Sequence, residues 1–165
     1  MIRSIGKEMN HFKDKGKLGR WLLLIVWMVI IFLFSAQPAT ASNNLSLSII
    51  DRLFSFLGLE IDLNIELLNT INFMIRKGAH LFVYLILGGL ITNALWPYRL
   101  PKASLLKLSC IIGLSYATID EFHQLFVDGR SGQISDVFLD SLGVIIGVWL
   151  VSSLLYSRNS LIKRD

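Results

Sequence analysis

Residues 117–136 read ATIDEFHQLFVDGRSGQISD, and the fold turns on the surroundings of this run. Asp120, Glu121, His123, Gln124, Arg130 and Asp136 are crowded where two apolar stretches, Leu105 to Val127 and Asp136 to Tyr156, come together. Two more such stretches precede them, from Trp21 to Ser35 and from His80 to Trp96. Each approaches the roughly 20 residues that cross a bilayer as a helix. The chain of 165 residues is 53% hydrophobic and 17% charged, with a mean hydropathy of +0.59. A soluble core of that size cannot hide four such runs. The expected fold is therefore an all-α membrane bundle of four transmembrane helices.

Lysines and arginines give the expected orientation, because they gather on the cytoplasmic side of spanning segments. Arg3, Lys7, Lys13, Lys15, Lys17 and Arg20 precede segment one. Arg99 and Lys102 lie between segments two and three, and Arg158, Lys163 and Arg164 follow segment four. The connection after segment one carries Asp51, Glu60, Asp62 and Glu66, and the one after segment three has only Arg130. Both termini are expected in the cytoplasm, with Arg76 and Lys77 as exceptions on the outer side. This divides the chain into a basic segment 1–20, a membrane domain 21–156 and a tail 157–165. A competing reading takes segment one as a signal peptide cleaved after Ala41, from the small-residue pattern PATA. Ile49, Ile50, Leu53, Phe54 and Leu57 recur at helical spacing, so a short outer amphipathic helix is expected, with Ser42 capping its start and Gly58 its end.

Helical geometry then aims the polar groups. At about 100° per residue, Asn69, Asn72, Arg76, His80 and Tyr84 form one stripe. Ser109, Gly113 and Ala117 form a small-residue face on which another helix can approach closely. That face continues into Tyr116, Asp120, His123 and Gln124, with Glu121 on its flank. Asp136, Asp140, Gly143 and Gly147 share a face of segment four, and Ser135 is placed to cap that helix. All three stripes end at the same outer level. Ionisable groups in spanning segments usually face the bundle interior and mark function. A plain ion-pair network locking the helices is the structural alternative. In the turn, Gly129 and Gly132 permit unusual backbone that can aim amides inward.

Asp120, Glu121, His123 and His80 are thus the acid–base candidates. Arg76, Lys77, Tyr84, Gln124, Arg130 and Asp136 are the binding candidates. Arg130 reads as a free planar clamp for an anionic head, oriented by Asp136, which is alternatively a partner of His80. His80, Glu121, His123 and Asp136 match no recognised zinc spacing, so no metal is assigned and no cofactor is expected. Ser131 lacks the context of a catalytic serine. The lone Cys110 allows no internal disulfide. The net charge of +4 lies beside apolar segments, which excludes a nucleic-acid footprint.

RKGAHLFVYLILG (76–88), DEFHQLFVDGRSGQISDVFLDSLGVIIG (120–147) and FSAQP (34–38) resemble the VanZ-like membrane proteins of bacteria. The family's pattern matches at Lys77, His80, Tyr84, Asp120, Glu121, His123, Gln124, Arg130, Asp136 and Gly143. Val83 stands where an acidic residue is common, and Asp140 where asparagine is common. The resemblance implies a multi-pass protein of the cell envelope, with a namesake associated with resistance to teicoplanin, an acylated glycopeptide. The expected partner is a membrane lipid or a lipid-tailed amphiphile bound in an outer polar pocket. Two alternatives are an enzyme acting on a lipid-linked envelope intermediate, by hydrolysis or phosphoryl transfer, and a proton-coupled transporter. The inner halves of the segments hold few ionisable groups, which disfavours a proton relay.

Overall fold

Asn64 sets where the second spanning helix begins, because its side chain accepts the Leu67 amide at 2.8 Å as an N-cap. The computed structural model describes residues 2–58 and 64–162, with side chains at 16–58 and 64–160. Among these, helices α1 (Ile2–Ser35), α2 (Ala39–Leu57), α3 (Ile65–Leu95), α4 (Lys102–Gln124) and α5 (Ile134–Ile162) follow in order, with a 3-10 turn at Trp96–Tyr98. No strand occurs among the described residues. The expected all-α bundle is present. Glu60, Asp62, Lys163 and Arg164 lie outside the described residues, as do the side chains of Arg3, Lys7, Lys13 and Lys15.

Four helices are long and apolar enough to cross a membrane: Gly16–Ser35, Ile65–Tyr98, Lys102–Gln124 and Ile134–Ser160. The 23 residues of α4 span about 34 Å at 1.5 Å each, more than a hydrocarbon core of roughly 30 Å. Their outer faces keep Val26, Leu33, Phe82, Ile119 and Trp149 exposed, as a lipid surrounding requires. Segment two starts well before His80, because hydropathy does not register the polar turns that the Asn64 cap allows. The amphipathic helix α2 starts at Ala39 behind Pro38, so Ser42 sits inside it and is not its cap. Gly58 does close it, in the left-handed conformation with φ 65°. Ser135 likewise lies inside α5 and donates to Gln133 Oε1.

Packing is tightest between α3 and α5. Gly147 faces the Leu85 carbonyl and Gly143 the Leu81 carbonyl so closely that a Cβ would overlap backbone at either place. Gly113 of α4 leaves room for the Val144 side chain of α5, which a Cβ there would overlap, and Ser109 and Ala117 are fully buried beside it. Both small-residue faces read from the sequence are thus helix contacts. The core along this seam is Leu87, Ile91, Ala94, Leu105, Val144 and Val148, joined by Leu24 and Ile31 of α1. Two long-range hydrogen bonds hold α1 against it, Trp27 Nε1 to the Val83 carbonyl at 3.1 Å and Tyr116 OH to the Met28 carbonyl at 2.7 Å.

The two ends of the bundle differ. One is aromatic and basic: Trp96 meets Tyr156 edge-on at 4.9 Å, Lys102 lies over Tyr156, and Trp21 donates to Tyr98. Rings and long cations at that level suit a membrane interface. The opposite end gathers the C-terminal ends of α1 and α4 with the starts of α3 and α5, and carries the polar cluster.

Candidate functional site

Asp120 is the hub of this end. Its carboxylate is buried at 3% exposure, carried there by the same α4 face as Gly113 and Ala117. Oδ2 accepts from Ser35 Oγ of α1 at 2.8 Å, from Tyr84 OH of α3 at 2.9 Å and from Gln124 Nε2 one turn on at 3.4 Å. Three helices therefore meet on one oxygen. Oδ1 is buried without a hydrogen-bond partner.

From Gln124 the network runs into the loop before α5. Its Nε2 also donates to Glu121 Oε1 at 3.0 Å, and its Oε1 accepts from Arg130 at 3.1 Å. Arg130 spends its other donors on the end of α1 and the link to α2: Nε reaches the Gln37 carbonyl at 3.0 Å and a terminal nitrogen the Phe34 carbonyl at 3.1 Å. Carbonyls at and just past a helix C-terminal end are short of donors from their own helix; among the described residues Phe34 has only the Gln37 amide at 3.3 Å beside the guanidinium. Burial depresses the Arg130 pKa below its ordinary value and neighbouring Arg76 depresses it further, while Asp120 and Glu121 oppose the shift. The expected free clamp is thus a braced side chain, which sequence alone hid because its acceptors are main-chain atoms. Gly129 takes a positive φ of 70° in this loop. Gly132 serves a close approach, since a Cβ there would lie 2.6 Å from the Glu121 carbonyl oxygen. The adjacent Gln133 amide points inward and donates to Glu121 Oε2 at 3.1 Å.

The pairings also differ from expectation. Asp136 bonds Lys77, and neither Arg130 nor His80. His80 instead faces Asp140, with Nδ1 3.5 Å from Oδ1. These are the two ion pairs at this end among the described residues, so hydrogen bonds, more than ion pairs, tie the helices. His123 turns away from the hub: its ring lies 4.6 Å from that of Phe32, and its Nδ1 is buried without a partner. Asn72 is buried and bonds Asn43 of α2, whereas Asn69 is exposed. Ser35 and Asp140 join the site although neither stands among the acid–base or binding candidates read from the sequence. Asp140, a carboxylate inside VFLDSLG, carried the signal that any ionised group in a spanning helix carries. Ser35 lies in the FSAQP stretch.

Beside the hub opens a cavity of about 270 Å³, near the lower end of the roughly 300–1,000 Å³ of small-molecule sites. Its apolar walls come from Trp27, Ile30 and Ile31 of α1, Leu45 and Ile49 of α2, and Ile75 and Val83 of α3. Its polar side is formed by Arg76, His80, Tyr84, Asp120 and Arg130. Arg76 has no hydrogen bond or ion pair among the described residues. Glu121, His123, Gln124, Lys77 and Asp136 do not line this space. Cleavage after Ala41 would remove Phe34, Ser35 and Gln37, and with them one wall, the Ser35 bond to the hub and two of the bonds made by Arg130.

No curated protein and no solved structure matches the chain. A family model does match, described as VanZ/LLP1, and it covers residues 20–156, from within the first span to within the last. The hub, the loop arginine and the glycine seam all lie inside that match, and the chain belongs to the VanZ/LLP1 family.

Proposed function

We propose that the cavity receives the apolar tail of an envelope amphiphile whose anionic head meets Arg76. The observation that carries this reading is Arg76 itself, an unpaired guanidinium on the polar side of a cavity whose other walls are apolar. A planar guanidinium suits a carboxylate or phosphate head. Arg130 adds fixed charge nearby while its hydrogen bonds stay committed to Phe34, Gln37 and Gln124. With both termini cytoplasmic, the cavity opens to the outer leaflet, where an acylated glycopeptide of the teicoplanin type or an envelope lipid would be met. Binding or excluding such a molecule is the role in drug tolerance that the reading implies.

Orientation has its own test. In a background with Cys110 replaced by alanine, cysteine at Gly129 is expected to react with an impermeant thiol reagent on intact cells, and cysteine at Lys102 is not. Reversed labelling would put the cavity on the wrong side.

The head-group role predicts that Arg76→Gln inserts at wild-type levels, because the guanidinium holds nothing in the fold. Losing one charged hydrogen bond of about 1.5–3 kcal/mol should weaken binding of an alkyl phosphate roughly 10- to 100-fold. Growth in an acylated and a non-acylated glycopeptide should show protection against the first alone, and Arg76→Gln should lose it. Unchanged binding and tolerance in Arg76→Gln would remove the head site.

A second reading, hydrolysis or phosphoryl transfer on a lipid-linked intermediate, is favoured by Asp120, whose unpartnered Oδ1 belongs to a residue lining the same space as His80. Proton-coupled transport has less support, since the seam below the hub is closed by Leu87, Ile91, Val144 and Val148.

A further inference from the structure

Three helices also converge on a point next to the hub. His80 of α3, Glu121 of α4 and Asp140 of α5 each offer one donor atom, and these atoms all lie within 4.8 Å of one another. Asp140 is the telling member. Its side chain is 0% exposed, and neither Oδ1 nor Oδ2 has a hydrogen-bond partner. His80 Nδ1 stands 3.5 Å from Oδ1, longer than the roughly 2.7–2.9 Å to which charge-assisted pairs usually close. A carboxylate so buried and so poorly satisfied calls for a positive partner. Lys77 does not supply it, because it bonds Asp136.

We propose that His80, Glu121 and Asp140 form a binding site for a divalent cation, zinc or manganese. One imidazole with two carboxylates is the donor set for such borderline metals, whereas magnesium and calcium prefer all-oxygen shells. Two carboxylates and a dication sum to zero charge with a neutral imidazole, the cheapest state for a site of low dielectric. Glu121 is already held from behind, since it accepts from Gln124 and from the Gln133 amide. Bonds of about 2.0–2.2 Å to one ion require the donors to draw inward, a movement that side-chain torsions supply. His80 also lines the cavity, so the ion adds positive charge beside the proposed head position. The site itself does not depend on what the cavity holds.

The test uses full-length protein in detergent, purified without a histidine tag, stripped with a chelator and dialysed against zinc or manganese. Elemental analysis should find about one ion per chain, and the bound metal should raise the melting temperature. Asp140→Asn and His80→Gln are near in size and should each weaken binding by roughly tenfold or more. Asp136→Asn, outside the cluster, should bind as the wild type does. Absence of saturable binding by the wild type overturns the site, whether or not the variants fold. So does metal binding unchanged in both cluster variants. Stoichiometric binding lost in either variant, with Asp136→Asn unaffected, supports it.

Discussion

Alanine at Arg130 is expected to cut the yield of folded protein from membranes sharply and to lower its melting temperature in detergent. The side chain closes three hydrogen bonds at once, two of them on the carbonyls of Phe34 and Gln37. Removing it also leaves Gln124 Oε1, on a residue only 4% exposed, without its donor. One charged hydrogen bond of about 1.5–3 kcal/mol plus orphaned acceptors at about 1–3 kcal/mol puts the loss near 3 kcal/mol or above. Arg130→Lys should recover part of this, because a compact ammonium cannot serve acceptors in three directions. The structure thus reverses the expectation for a free clamp, under which lysine would fold normally and fail only in binding. A melting temperature unchanged in Arg130→Ala would mean that the end of α1 is held by something else.

Asp120→Ala is expected to be nearly as damaging. Ser35, Tyr84 and Gln124 would lose their common acceptor. Tyr84 is 1% exposed, so water offers little replacement. Costs of about 1–3 kcal/mol per orphaned donor do not add fully but still amount to several kcal/mol. Asp120→Asn separates fold from charge. Its amide oxygen can take the place of Oδ2, and its NH2 group the place of Oδ1, which has no partner. Membrane level should stay near wild type while amphiphile binding or drug tolerance changes. Wild-type function in Asp120→Asn would confine this carboxylate to holding helices together.

How much of this was legible in the sequence depended on which atoms were involved. Hydropathy marked the spans, and helical periodicity put Ser109, Gly113 and Ala117 on a buried face and Gly143 and Gly147 on another. The convergence of Tyr84, Asp120 and Gln124 at one end followed from the same periodicity. Pairing did not follow. Lys77 with Asp136 and His80 with Asp140 depend on the relative rotation of α3 and α5, set by the Gly143 and Gly147 contacts with the carbonyls of Leu81 and Leu85. The Arg130 brace ends on main-chain oxygens, which no residue identity announces. The early start of α3 rests on Asn64, a cap whose polarity lies outside any hydropathy window.

The most direct measurement of the central claim, that the cavity holds an anionic amphiphile by its tail, is photolabelling with mass-spectrometric mapping. The probe is an alkyl phosphate carrying a diazirine on its tail, added to protein in lipid nanodiscs. Labels should concentrate on Ile31, Ser46 and Ile49, which line the cavity, and fall when unlabelled alkyl phosphate competes but not when inorganic phosphate does. Arg76→Gln should reduce those labels without changing the background. Labels confined to the exposed residues Leu22, Phe138 and Trp149, with no enrichment in the cavity and no competition, would contradict the account.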